Sequence, residues 1–256
     1  MGNELLATTG LTKKYGGLTA VDSVDFQVWD GEVIAVIGPN GAGKSTLFNL
    51  ITGVIPPTSG QITFLGKSLV GVAAHTVAHR GIARTFQNLR LFRNLSVLEN
   101  VMAGFHAKSK PSLSEVIGPS HARHEQAWKN KGRELLAFVE LDTSQPEKTP
   151  ARNLPYGQQR LLEIARALAT GPRLLLLDEP AAGLNPEENG KLMDLIGRIR
   201  AQGITVMLVE HNVELVMEVS ERVMVLDLGR KLYIGTPDEV RTNPEVIRAY
   251  LGTEVA

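Results

Sequence analysis

Gly38-Pro39-Asn40-Gly41-Ala42-Gly43-Lys44-Ser45 has the residue types and spacing needed to hold phosphate. It fits G-x-x-x-x-G-K-[ST], and Thr46 carries it into Leu47-Phe48-Asn49-Leu50. Glycines let successive backbone N–H groups turn inward around phosphate oxygens, and a helix start adds partial positive charge. Lys44 is expected to reach the β and γ phosphates, and Ser45 to offer a hydroxyl to Mg²⁺. A second constellation, Leu174-Leu175-Leu176-Leu177-Asp178-Glu179, puts two carboxylates at the end of an apolar run. Asp178 is expected to hold Mg²⁺ through water, and Glu179 to polarise an attacking water as general base. Together these residues imply hydrolysis of a phosphoanhydride.

Such groups work only if the chain between them folds to bring them together. Val33-Ile34-Ala35-Val36-Ile37, immediately before Gly38, is apolar throughout, and Leu174 to Leu177 and Ile204 to Val209 are two more runs of the same kind. Runs of this kind suit parallel strands buried on both faces, whose C-terminal edge is where open α/β folds bind ligands. Leu161, Ile164, Ala165 and Leu168 follow helical spacing, and so do Leu192, Leu195, Ile196 and Ile199 after the cap Asn185-Pro186. Val213 to Val219 reads as a further helix, and Val223, Val225, Leu232 and Ile234 as a hairpin across Leu228-Gly229-Arg230. Nearer the start, Val24, Phe26 and Val28, then Ile62 and Phe64, alternate with polar residues, as in a half-exposed antiparallel sheet. In the middle, Ser96-Val97-Leu98-Glu99 reads as a capping box opening a helix. Residues 107–126 are polar and read as a loop, and Trp128 to Val139 as helix. The fold class expected is α/β: a mostly parallel core with an antiparallel β subdomain and a helical lobe inserted at 93–157, the core being 1–92 and 158–256.

Composition narrows the function. Lys plus Arg and Asp plus Glu both number 27, so the net charge is zero, and aromatics are only 5%. A surface built to neutralise a phosphate backbone and stack bases would be more basic, so no nucleic-acid partner is expected. Cysteine is absent, which removes disulfides and thiolate metal sites. Met1 to Gly10 lacks a basic stretch followed by an apolar core, so no signal peptide is expected. No apolar run approaches the roughly 20 residues that span a bilayer, so a membrane role is expected to run through a partner. Guanine recognition by N-K-x-D is missing, since Asn130-Lys131-Gly132-Arg133 lacks the Asp.

Leu154-Pro155-Tyr156-Gly157-Gln158, shortly before Asp178, resembles the LSGGQ signature of the ABC ATPases. The family's other marks follow in order over nearly the whole chain. Tyr15 resembles the aromatic that stacks on adenine, Gln87 in Thr85-Phe86-Gln87 the Q-loop glutamine, Ala181 to Asn185 the D-loop, and His211 the switch histidine. The resemblance implies ATP and Mg²⁺ as ligands, with two such domains pairing head to tail around ATP. Leu154, Tyr156, Gly157 and Gln158 would then serve the partner's nucleotide, with a helix beginning near Gln158 aimed at its γ-phosphate. Gln87 would sense Mg²⁺ and the attacking water, and His211 would hold the γ-phosphate and the water-activating geometry. The chain departs from the family pattern at Pro155 for Ser, Tyr156 for Gly, and Asn185 and Asn212 for Asp. His75, His79, His106, His121 and His124 have no such context and are assigned to the surface.

Arg84 to Phe92, Tyr156 to Arg160, Asp178 to Pro186 and the ending Asn243 to Gly252 are similar to the ATPase subunits of bacterial branched-chain amino-acid importers. That resemblance implies a peripheral subunit on the cytoplasmic face of the inner membrane. The partners it implies are integral-membrane permeases, a second ABC ATPase subunit (homologous, or another copy) and, indirectly, a periplasmic binding protein. A soluble ABC-type ATPase acting on nucleic acid or ribosomes is the alternative, without the long basic or coiled insertions typical of that class.

Overall fold

The apolar runs lie side by side at the centre of the protein. The computed structural model describes residues 2–106 and 120–251. Strands β1 (Glu4–Tyr15), β2 (Leu18–Trp29), β4 (Ser59–Phe64) and β5 (Lys67–Ser68) form an antiparallel sheet in the order β2-β1-β4-β5. Strands β3 (Val33–Ile37), β6 (Ile82–Arg84), β7 (Leu174–Asp178), β8 (Thr205–Val209), β9 (Arg222–Asp227) and β10 (Arg230–Gly235) form a second sheet, ordered β10-β9-β3-β8-β7-β6. Within it β6, β7, β8, β3 and β9 run parallel, and β10 returns antiparallel on β9.

Each residue of β3, β7 and β8 is buried, which is why these strands lack polar alternation. Side chains alternate across a strand, so each strand feeds two cores. Val33, Ala35, Ile37, Leu175, Leu177, Val206 and Leu208 pack with the helices on one face. Ile34, Val36, Leu174, Leu176, Met207 and Val209 pack on the other with Leu5, Val24, Phe26, Phe64 and Phe48. The antiparallel sheet thus closes over one face of the parallel sheet, with helix α1 (Lys44–Ile51) inside the same core.

Helix α2 (Ala74–His79) precedes β6, and α3 (Val97–His106), α4 (Ser120–Phe138) and α5 (Tyr156–Ala169) lie between β6 and β7. Ser96 caps α3 as expected: its Oγ accepts from Glu99 N–H at 3.2 Å, and Glu99 Oε2 accepts from Ser96 N–H at 2.7 Å. The loop expected over 107–126 lies outside the described residues as far as 119, and residues 120–126 are helix instead. Helix α5 begins at Tyr156, two residues before the Gln158 near which its start was expected, with Pro155 as its N-cap at φ −54° and ψ 155°. It is also buried almost all round, Arg160 and Glu163 included, and not along one stripe. The chain continues with α6 (Pro186–Ala201), α7 (Val213–Val219), α8 (Pro237–Thr242) and α9 (Pro244–Leu251). Among the described residues no helix is long and apolar enough to cross a membrane.

Candidate nucleotide site

Four neighbouring parallel strands, β3, β8, β7 and β6, end on one edge, and a candidate residue follows each. Gly38 follows β3, Glu210 and His211 follow β8, Glu179 follows β7, and Gln87 lies three residues beyond the end of β6. Parallel direction therefore delivers groups far apart in sequence to one place.

The loop from Gly38 to Gly43 turns β3 into α1. Gly38 has φ +153° and Gly43 φ +101°, and a Cβ on either would strike backbone, the carbonyl of Leu226 or of Ala20. Both positions thus require glycine, for conformation and for space. Gly43 is the N-cap of α1, so N–H groups of Lys44, Ser45 and Thr46 have no carbonyl a turn earlier to bond, and Leu47 N–H bonds Gly43 O at 2.9 Å. Pro39 is half-buried, Asn40 and Gly41 are exposed at the rim, and Ala42 is buried beneath them. The buried Lys44 ammonium donates to Gly38 O at 2.6 Å and Pro39 O at 2.9 Å. Burial pushes its pKa down and Glu179 pulls it back up, so cation and carboxylate share one field. Ser45 is exposed at the start of α1 and Thr46 half-buried. A left-handed cradle, free helix N–H groups and a desolvated ammonium fit a polyphosphate.

Glu179 stands at the centre. His211 Nε2 lies 2.8 Å from its Oε1, and Gln87 Nε2 donates to its Oε2 at 2.7 Å. The structure thus brings together the three residues assigned to catalysis. Glu179 has φ +47°, a conformation costing a non-glycine residue about 1–2 kcal/mol. Its N–H bond to Val209 O at 2.9 Å helps hold it there. Asp178 is buried, and its Oδ2 accepts from Arg84 Nη2 at 2.6 Å. Arg84 also donates to Asn49 Oδ1 at 2.7 Å, so it joins α1 to the end of β7.

Sequence reasoning passed over Arg84, and over Glu210, which is 4% exposed. Glu210 Oε1 accepts from Ala181 N–H at 2.7 Å and its Oε2 from His211 N–H at 3.1 Å, so it braces the turn after Glu179 against the histidine. Burial pushes its pKa up against those donors. The one signal available was a carboxylate closing an apolar strand, as Asp178 does.

Tyr15, 47% exposed, ends β1 with Lys13 Nζ 5.2 Å from its ring centroid. Its sheet touches the phosphate loop through Ala20 of β2, beside Gly43. In the signature segment Leu154 is buried in the helical core, Gly157 is buried, Gln158 is half-buried and Tyr156 is 44% exposed. A Cβ on Gly157 would meet the Glu188 carboxylate, so the first turns of α5 and α6 touch there through that side chain. The two Asn departures have a local physical role. Asn185 Oδ1 caps α6 at Glu188 N–H, 2.9 Å, and Asn212 Oδ1 caps α7 at Leu215 N–H, 3.1 Å, as Asp would.

Residues 21–182 match the ABC transporter family, and residues 234–256 match the family of branched-chain amino acid ATP-binding cassette transporters. The chain is 41% identical to the high-affinity branched-chain amino acid transport ATP-binding protein BraF of Pseudomonas aeruginosa, over 98% of this chain and 99% of BraF. It is 42% identical to the LivG protein of the same description from Escherichia coli, again over 98% and 99%. A crystal structure of a nucleotide-free ATP-binding cassette from an ABC transporter superposes with a TM-score of 0.84 at 31% identity, over 97% of this chain and 99% of that one. The chain belongs to the ABC transporter family, as an ATP-binding subunit of the group that contains LivG and BraF.

Proposed function

We propose that this chain hydrolyses ATP at the edge built by Gly38–Thr46, Asp178, Glu179, Gln87 and His211, and so energises a bacterial importer of branched-chain amino acids. The carrying observation is the meeting of Gln87, Glu179 and His211 beside the phosphate loop. Backbone N–H groups and Lys44 bind and orient the phosphates. Glu179 accepts the proton of the attacking water. His211 and Gln87 fix its carboxylate in place. Ser45, Asp178 and Gln87 would hold Mg²⁺, which when bound neutralises phosphate oxygens. Tyr15 would pack on the adenine.

In this reading the whole chain is one ABC ATPase domain, with the lobe at 93–157 carrying the signature. Leu154, Tyr156, Gly157 and Gln158 complete the nucleotide site of a second ATPase subunit, and ATP closes the pair until hydrolysis reopens it. The subunit sits at the cytoplasmic face of the inner membrane beneath permeases that a periplasmic binding protein supplies. A groove of about 640 Å³ supports the permease contact; it is lined by Val77, Phe86, Leu91, Phe92, Glu163 and Arg166 among others, and adjoins Gln87. The match of residues 234–256 and the names of the relatives support the amino-acid class. Purification of the assembled complex, cross-linking from Phe92 to a permease and uptake of labelled leucine test the reading. Absence of that cross-link in an assembled complex, or uptake indifferent to ATP, would refute it.

A further inference from the structure

Arg160 is 0% exposed in helix α5, one turn after Tyr156. A guanidinium there must find acceptors or leave a buried charge unpaired. Two of its four acceptors lie more than seventy residues away in the chain. Nη1 donates to Phe86 O at 2.8 Å and to Glu163 Oε2 at 3.1 Å. Nη2 donates to Gln87 O at 3.0 Å and to Tyr156 Oη at 3.1 Å. Glu163, 1% exposed, answers from the same helix: its Oε1 accepts from Phe86 N–H at 3.5 Å and Arg90 N–H at 3.2 Å. The segment Phe86 to Arg90 is thus gripped by carbonyl on one side and by N–H on the other. Both grips come from one ion pair on α5.

The same bracket reaches the other flank of Glu179. The Tyr156 ring lies 3.1 Å from where a Cβ on Gly183 would stand, in the turn after Glu179, and its hydroxyl is held by Arg160. Tyr156 is one of the departures from the family's glycine, and the bracket gives it a use. From the N-terminus of α5 the path runs through Arg160 to the Gln87 carbonyl. From there the Gln87 side chain leads to Glu179 Oε2 at 2.7 Å. A displacement of α5's first turn therefore moves the amide that orients the general base.

We propose that Arg160, paired with Glu163 and Tyr156, is a positioning residue that ties the catalytic carboxylate of this chain to the helix end serving its partner's nucleotide, so that each site reports its occupancy to the other. The proposal rests on the functional reading above. Arg160 and Glu163 touch no ATP themselves; Tyr156 is the member of the bracket that serves the partner's nucleotide. A planar fork is required, because a lysine ammonium cannot reach four acceptors on two segments.

The test is a double-mutant cycle on the full-length chain with Arg160→Met and Gln87→Ala. Turnover is expressed per chain competent to bind fluorescent ATP, so that misfolded protein drops out. Arg160→Met should lower kcat by about tenfold or more while ATP affinity stays within about threefold. The double variant should be no slower than the slower single one, since Arg160 acts through Gln87. A purely structural Arg160 would give losses that multiply, and that result overturns the proposal. Unchanged kcat in either single variant overturns it as well. Should Arg160→Met not fold, Arg160→Lys carries the same cycle, keeping the charge and losing the fork. Failure of the wild-type chain to bind ATP would refute the functional reading itself, whereas ATP binding with multiplicative losses refutes the bracket alone.

Discussion

Arg84→Met should be among the most destabilising single changes near the site. Arg84 and Asp178 are 2.6 Å apart, with side chains 7% and 6% exposed, so the pair is screened little by water. Removing one partner of a buried pair costs about 3–5 kcal/mol, because the remaining charge is left uncompensated. The Arg84 guanidinium also lies 5.6 Å from the Phe48 ring centroid and 5.0 Å from that of Phe86. Methionine keeps most of that apolar contact, so the loss reports the ion pair and the Asn49 bond more than packing. In a domain of this size about 1 kcal/mol shifts Tm by roughly 2–4 °C, so a fall on the order of 6–20 °C is expected. Differential scanning calorimetry reads it, and two further arms sharpen it. Asp178→Asn combined with Arg84→Met should recover part of the loss, since no buried charge is then stranded. Mg²⁺ with ATP should raise the Tm of Arg84→Met by more than that of the wild type, because a second cation becomes available to Asp178. A Tm within about 1 °C of wild type, by the same scaling, would refute the reasoning.

The remaining predictions follow the same geometry. Lys44→Ala removes an ammonium that donates to Gly38 O and Pro39 O, and should weaken ATP binding about 10–100-fold by fluorescence titration, as loss of a charged hydrogen bond does; unchanged affinity would count against the phosphate-loop reading. Asn185→Ala breaks the reciprocal cap of α6 with Glu188 and should cost about 0.5–2 kcal/mol in urea unfolding without altering ATP affinity. Glu163 and Glu210 both have pKa values raised by burial above the ordinary 4.5. On unfolding each releases a proton that the folded chain retains, so their contribution to stability is full below pH 4.5 and is lost as pH rises through the folded values. Glu210→Gln should flatten that decline in denaturant titrations at several pH values, and an unaltered slope would show that the group does not carry it.

What was legible in the sequence was local. The phosphate loop, the apolar strands and the caps Ser96 and Asn185 each announce themselves within a few consecutive residues, and each forms the local structure expected. The gathering of Gln87, Glu179 and His211 was foreseen from the family pattern, not from spacing. What the sequence did not reveal depends on contacts between distant segments. Arg84 and Asp178 are joined across β6 and β7, and Arg160 reaches Phe86 and Gln87 from another helix; in sequence nothing marks Arg84 or Arg160 as buried. Residues 120–126 read as loop because their sequence carries no apolar stripe at helical spacing.

Hydrolysis by a base at Glu179 is the central claim, and one substitution tests it most directly. Glu179→Gln keeps the shape of the side chain and an oxygen that can still accept from Gln87, but cannot take a proton from water. In single-turnover assays with labelled ATP, the variant should bind ATP within about threefold of wild type and hydrolyse it on the order of 10²–10⁴-fold more slowly. Hydrolysis at the wild-type rate with ATP fully bound would contradict the account.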